Sequence, residues 1–269
     1  MNGRRILVTG ASSGLGAALA RHYARPEVAL LLVARNAERL ETVAQDCRRR
    51  GALVTTAQLD VRDSAALARF VAEQDARMPI DTVFANAGVE ASLGRMGEAE
   101  TLPEVLAQIR TNFEGAVATV LPLLDSMRAR GAGRVVLVSS LAGRMPLHDQ
   151  PTYSATKAGL IAFGEALRPV LAQQGVRLTV ACPGFVATGM SRGYEGWRPF
   201  EWSAERAAAA IATAAERGAR SVAFPLPLVA LIGLSRFVPG VLREWVVRQF
   251  FAVGVRHPGG EVAMSDLRE

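Results

Sequence analysis

An α/β fold is predicted: a doubly wound parallel sheet of about seven strands, helices on both faces, and an apolar helical extension at the C-terminal end. Three observations predict it. Apolar, strand-like runs alternate with helical patterns along almost the whole chain. The runs are near-continuous rather than alternately apolar and polar, as expected of strands covered on both faces. No linker, low-complexity tract or internal repeat divides the 269 residues. They are read as a single domain, with a core over 4–224 and the extension over 225–269.

Arg5 to Val8 reads as the first buried strand, followed by a helix from Gly14 to Arg25. Val28 to Val33 is an uninterrupted apolar run, and Asn36 caps the next helix. Leu53 to Leu59 gives the third strand, and Asp63 caps a helix from Ser64. Ile80 to Ala85, Val135 to Val138 and Val176 to Ala181 continue the sheet. Two long helices separate these last three. The first carries Leu102, Val105, Leu106, Ile109, Phe113, Val117, Val120 and Leu124 at helical spacing. The second runs from Gln150 to Gln174, with a kink expected at Pro169, which removes one helical hydrogen bond. A last strand ends near Phe224. The apolar stretch from Val222 to Leu234 is too short to span a bilayer and is interrupted by Pro225, Pro227 and Gly233.

Half of the residues are hydrophobic and 21% are charged, which fills a core and argues against disorder. The net charge of +6 comes from scattered arginines. Arg48-Arg49-Arg50 is the one run of three, and it ends a predicted helix where cations favour the dipole. No nucleic-acid partner is expected from this pattern. Cys47 and Cys182 have no CxxC or histidine neighbour, and the 3 histidines are dispersed, so neither a disulfide framework nor a metal site is read. Ile6-Leu7-Val8 stops at once in Thr9-Gly10, unlike a signal peptide, and a cytoplasmic compartment is the default.

Two segments carry chemistry. Gly10, Gly14 and Gly16 lie between the first strand and its helix. There they permit a tight turn and close approach of a ligand, and the helix offers free N–H groups to a pyrophosphate. The sole lysine is Lys157, four residues after Tyr153. On a helix that spacing puts phenol and ammonium on one face, a turn apart. Arginine serves equally well as a surface cation, but its planar guanidinium never deprotonates and cannot replace a compact charge beside a phenol. A solvated helix pair would show the same spacing; a functional dyad is the stronger reading.

With these residues the sequence resembles the short-chain dehydrogenase/reductases, in their short single-domain form, over roughly residues 4–224. Thr9 to Gly16, Asp60, Asn86-Ala87-Gly88, Asn112, Ser140, Tyr153 with Lys157, and Pro183-Gly184 with Thr188 fall in that family's order and spacing. The resemblance implies a Rossmann-type sheet and a carbonyl/secondary-alcohol oxidoreductase. Tyr153 would give its proton to the substrate oxygen, or remove it in reverse. Lys157 would lower the phenol's pKa and hold the nicotinamide ribose. Bringing a phenol from about 10 toward neutrality takes roughly three units, or about 4 kcal/mol. Ser140, preferred to Ser139 by its distance from the tyrosine, would bind the substrate oxygen. Asn112 would bind, through its backbone, a water linking Lys157 to solvent. Taken alone, Ser140 equally suits a strand-end hydrogen bond, and Asn112 a polar break in a long helix.

The resemblance also implies the cofactor contacts. Ser12, Ser13 and Leu15 join the glycines of the first turn. Asp60, with Val61 beside it, resembles the adenine-binding acid, though a helix cap would look the same. Asn86, Ala87 and Gly88 would pass close under the cofactor, and Pro183, Gly184, Val186 and Thr188 would grip the nicotinamide carboxamide. Ala34 stands where an acid would hold a ribose 2′-hydroxyl, and Arg35 follows. Arg35, helped by Ser12 and Arg39, would pair with a 2′-phosphate. NADP(H) is therefore expected over NAD(H), although Ser13 stands where NADP-users often have a second basic residue.

Tyr194, Trp197, Phe200 and Trp202 are expected to form an aromatic lid over a bulky or apolar carbonyl substrate, or else to anchor a loop. Apolar residues continue over 224–251, where Val241, Leu242, Trp245, Val246 and Gln249 share a helical side and Arg243 and Arg248 do not. Three roles fit, in this order: a homo-oligomer interface (homodimer or homotetramer), a cover over the substrate cleft, or peripheral membrane contact. The sequence therefore reads as an NADP(H)-dependent oxidoreductase. The alternatives are a non-catalytic dinucleotide sensor, which would not need Ser140, Tyr153 and Lys157 together, and a sugar-nucleotide epimerase, disfavoured by length and glycine spacing.

Overall fold

In the computed structural model, which describes residues 3–91, 100–191, 197–235 and 237–241, the predicted alternation of strand and helix persists. The strands β1 (Arg4–Thr9), β2 (Val28–Ala34) and β3 (Leu53–Gln58) are joined by α1 (Gly14–Tyr23) and α2 (Ala37–Arg49). After α3 (Ser64–Arg77), the chain crosses back to β4 (Thr82–Ala85) on the other side of β1. It continues outward through β5 (Gly133–Val138), β6 (Val176–Pro183) and β9 (Ser221–Phe224). Every pairing is parallel, and the order is β3-β2-β1-β4-β5-β6-β9. The strand order reverses between β1 and β4. A crevice opens there beyond the strands' C-terminal ends, the place where open sheets of this kind bind ligands.

Alternation within the buried strands builds two cores. Leu7 points to one face with Leu67, Val71, Val120 and Leu160, whereas Ile6 and Val8 point to the other with Leu19, Leu40 and Ile211. All of these side chains are essentially removed from water, each contributing about 1.5–3 kcal/mol of burial. The two faces are covered by α3, α5 (Gly115–Ala129) and α6 (Pro151–Ala172) on one side, and by α1, α2 and α7 (Ala204–Arg217) on the other. The predicted caps form: Asn36 accepts from the Arg39 N–H at 2.8 Å and Asp63 from that of Ala66 at 3.0 Å.

Two elements differ from expectation. The helix predicted continuously from Leu102 to Leu124 is α4 (Leu102–Ile109) and α5, separated by a π-helical segment, Arg110–Glu114. Apolar periodicity does not reveal this widened turn, because the apolar face runs on through it. The helix expected to reach Gln174 ends at Ala172, and it continues past Pro169 for three residues. Beyond β6, a two-stranded ribbon pairs β7 (Val186–Ala187) with β8 (Trp202–Ser203). After β9 comes α8 (Leu226–Ser235). Among the described residues, no helix is long and apolar enough to cross a membrane.

Candidate active site

At the strand-order reversal, Thr9 joins β1 to β4: its hydroxyl oxygen accepts from the N–H groups of Asn86 and Ala87 at 3.1 and 3.2 Å. The Asn86 amide donates to the Thr9 carbonyl at 2.9 Å. Asn86 thus braces the sheet, as expected. The glycine turn packs directly on this seam. Gly10 has φ +67°, and a Cβ there would stand 2.8 Å from the Ala87 Cα. At Gly16 a Cβ would meet the Gly10 carbonyl oxygen at 2.2 Å. No side chain caps the N-terminus of α1, so its N–H groups and positive dipole end are presented at the crevice.

A cavity of about 700 Å³ fills the crevice. Its wall holds Gly10, Ser12, Ser13, Gly14, Leu15 and Gly16 from the turn, Arg35 after β2, and Asp60 and Val61 after β3. Asn86, Ala87 and Gly88 come from the end of β4, and Pro183, Gly184, Val186 and Thr188 from the end of β6 and the ribbon. Ser140, Tyr153 and Lys157 complete it. Of the residues expected to act in catalysis or cofactor binding, Asn112 alone is not part of the wall.

At the far end, Arg35 and Arg39 are in the wall together, and Arg35 Nη1 is 4.0 Å from the Asp60 carboxylate. Asp60 is not a helix cap, since Asp63 fills that role for α3. Arg62 holds the Asp60 carboxylate through its Nε at 2.7 Å and its backbone N–H at 2.9 Å. Desolvation opposes ionisation of Asp60, but Arg62 and the charge of Arg35 outweigh it and hold the pKa below the ordinary carboxylate value. The glycine turn, the uncapped helix and the two arginines fit a dinucleotide.

At the other end, α6 presents Tyr153 and Lys157 on one side. Burial raises the Tyr153 phenol above its ordinary value, the Glu90 carboxylate adds to this, and a hydrogen bond with Ser140 acts against it. This corrects the expected depression by Lys157: its Nζ lies 5.5 Å from the Tyr153 ring centroid and donates instead to the Val138 carbonyl at 3.0 Å. Burial pulls the ammonium down to about 8, while the charge of Glu90 works to raise it. Of the two serines, Ser140 meets Tyr153. Ser139 is buried and donates to the Lys157 carbonyl at 2.7 Å, so its role is to seat α6 on β5.

Neighbouring positions of α6 fix it in place. The Thr152 hydroxyl and N–H donate to Glu100 at 2.6 and 3.2 Å. One turn on, the Asn112 amide donates to the Thr156 hydroxyl oxygen at 3.1 Å. The Asn112 amide group also accepts from the Val89 N–H and donates to the Val89 carbonyl, both at 2.8 Å. Asn112, fully buried, thus ties the π segment to α6 and to the strand β4 loop through its side chain.

The expected aromatic lid takes another form. Trp202 stacks on Phe224 at 4.5 Å between centroids and lies under the Arg206 guanidinium, which anchors the ribbon to the core. Trp197 and Phe200 are exposed and stand apart from the cavity wall, and Tyr194 lies outside the described residues. The apolar end is made instead by Met145, Leu147, Met190, Leu228 and Ile232, the last two from α8. These residues, with Gln150, were missed from sequence. Of the extension residues, Val241 is exposed; Leu242, Arg243, Trp245, Val246, Arg248 and Gln249 lie outside the described residues.

A family profile described as short chain dehydrogenase matches residues 4–199. Ketoacyl reductase HetN of Nostoc sp. is 36% identical over 193 residues, 71% of this chain and 67% of its own. A Sphingobium yanoikuyae short-chain dehydrogenase, solved in complex with NADPH, superimposes with a TM-score of 0.76 at 24% identity, over 96% of this chain and 99% of that one. A Mycobacterium paratuberculosis short-chain dehydrogenase bound to NAD gives 0.72 at 21% identity, over 82% of this chain and 96% of that one.

Proposed function

This chain belongs to the short-chain dehydrogenases, oxidoreductases acting on CH–OH groups, and from that premise we propose that it is an NADP(H)-linked carbonyl reductase and secondary-alcohol dehydrogenase for bulky or apolar substrates. The reaction consumes a ketone, NADPH and a proton and yields the alcohol and NADP⁺. A bound nicotinamide dinucleotide supplies the hydride, or accepts it in reverse.

In this reading the chain's own groups do the rest. Tyr153 gives its phenolic proton to the carbonyl oxygen. Its raised pKa keeps that proton in place at neutral pH. Ser140, already bonded to the phenol, shares the substrate oxygen and fixes its direction. Lys157 holds a ribose hydroxyl and reloads the phenol. Asn112 keeps the Val89 loop and α6 in register, and the backbone-bound water expected from the family is compatible with that position. Arg35, with Arg39 and Ser12, favours a 2′-phosphate over a bare hydroxyl. The apolar end lined by Met145, Leu228 and Ile232 favours a hydrophobic substrate body. Exposed Leu102, Leu106 and Ile109 on α4 support self-association into a homo-oligomer.

One observation carries the reading: the phenol, the ammonium, Ser140 and the glycine turn share the wall of one cavity. The test is steady-state turnover of a panel of ketones and alcohols with each dinucleotide. Tyr153→Phe should lower kcat by roughly 10²–10⁴-fold while keeping cofactor affinity. Full turnover in that variant would remove Tyr153 as the acid, and absence of turnover by the unaltered protein would favour the sensor reading.

A further inference from the structure

Beyond the ends of β2 and β3, one carboxylate stands between two arginines. The parallel register sets Ala34 opposite Gln58, and the Leu59 N–H donates to the Ala34 carbonyl at 3.1 Å. Arg35 and Asp60 therefore leave adjacent strand ends side by side. The carboxylate is not shared evenly between the arginines. Arg62 takes both of its oxygens: the backbone N–H donates to Oδ1 at 2.9 Å, and Nε and Nη2 reach Oδ2 at 2.7 and 2.5 Å. Arg35 Nη1 stands 4.0 Å from that same Oδ2, the outer limit of an ion pair. Asp60 and Arg35 belong to the cavity wall, and Arg62 does not. The Arg62 side chain is 20% exposed against 39% for Arg35, so Arg62 supports the carboxylate from behind.

We propose that Arg62 is a positioning residue for dinucleotide selectivity: by neutralising Asp60 it commits the charge of Arg35 to a ligand phosphate. The inference rests on the proposed pairing of Arg35 with a 2′-phosphate, and it adds a residue that stays out of contact with the ligand. Asp60 is ionised at neutral pH, its pKa lying below the ordinary carboxylate value. Two guanidinium charges against one carboxylate leave the cluster positive, whereas without Arg62 the remaining pair is neutral. Two effects then act against a phosphate in the same direction. The carboxylate, having lost its near partner, draws Arg35 in from 4.0 Å to close an ion pair. Whatever part of its charge stays uncompensated repels the phosphate directly. A ribose 2′-hydroxyl carries no charge and is indifferent to both effects.

The test compares adenosine 2′,5′-bisphosphate with adenosine 5′-monophosphate, which differ only at the 2′ position. Their dissociation constants are measured by isothermal titration calorimetry on the unaltered protein, on Arg62→Leu, and on Arg62→Leu combined with Asp60→Asn. Both probes carry the same adenosine, so any contact of Asp60 with the base cancels in their ratio. The unaltered protein should bind the bisphosphate more tightly by roughly tenfold or more. Arg62→Leu should weaken the bisphosphate by roughly 5–30-fold and the monophosphate by less than about twofold. Adding Asp60→Asn removes the charge that Arg62 holds and should return the ratio to within about threefold of its original value. Arg62→Gln keeps the stem and a donor while dropping the charge, and it gives the same comparison if the leucine variant does not fold. A purely structural Arg62 would weaken both nucleotides alike, with no recovery on adding Asp60→Asn, and either result overturns the inference. A preference for the bisphosphate that survives intact in Arg62→Leu or Arg62→Gln overturns it while leaving the 2′-phosphate reading standing. Equal binding of both nucleotides by the unaltered protein removes that reading and the inference with it.

Discussion

The single lysine of the chain is the residue on which burial and function pull hardest against each other. Its ammonium is desolvated in the folded protein and titrates near 8, against an ordinary value of about 10.4. The folded state therefore binds fewer protons than the unfolded chain between those values. The cost of burying the charge is complete below about pH 8 and shrinks as pH rises through that window. Lys157→Met should abolish turnover yet raise the melting temperature at pH 7 by roughly 5 °C, and differential scanning calorimetry should show the gain narrowing toward pH 10. By the same sign, ketone reduction that needs the ammonium should hold steady through neutral pH and decline as pH passes about 8. Cofactor choice is a second residue-scale matter. Arg35→Ala should lower the NADPH-to-NADH ratio of kcat/KM by roughly 10–100-fold, and an unchanged ratio would remove Arg35 as the phosphate partner. Both residues could be singled out in the sequence by type and spacing, and both line the cavity. The direction of the phenol's pKa was not, because it depends on burial and on Glu90, which only the folded chain brings near.

At the scale of elements, strands and caps were the easiest to read. Val28–Ala34 is a continuous apolar run, Val176–Pro183 is mostly apolar with Arg177 as its one exposed position, and Asn36 and Asp63 cap as their side chains dictate. The π-helical segment was not readable, since Leu102, Ile109 and Phe113 keep helical spacing through it. Within it, Asn112 makes long-range hydrogen bonds to Val89 and Thr156 that no local pattern announces. Asn112→Ala removes three hydrogen bonds at once and leaves Val89 polar groups unmet. The melting temperature should fall by roughly 5–10 °C, with turnover falling more than cofactor affinity. Equal losses in both would assign Asn112 to the fold alone. Trp202 shows the opposite failure. Aromatic residues between two elements look alike whether they close a cleft or anchor a loop, and only the Phe224 stack decides for the anchor.

Across the whole molecule, the cavity draws on both ends of the chain, from Gly10 to Ile232. Leu228 and Ile232, among the first residues of the apolar extension, are part of that lining. Truncation after Ser235 should keep dinucleotide affinity, whereas Ile232→Trp should lower kcat/KM for bulky ketones more than for small ones. Fluorescence titration and a substrate-size series would check each. The interleaved faces of α6 carry a last consequence, for length rather than composition. Thr152 and Thr156 grip the scaffold while Tyr153 and Lys157, one position on, meet the cavity. Adding or removing one residue turns everything downstream by roughly 100°, swapping the gripping pair for the reacting pair. Substitutions along this helix can be absorbed, but insertions and deletions between Thr152 and Lys157 should be lethal to the enzyme, and those in the Gln173–Gly175 turn should pass unnoticed.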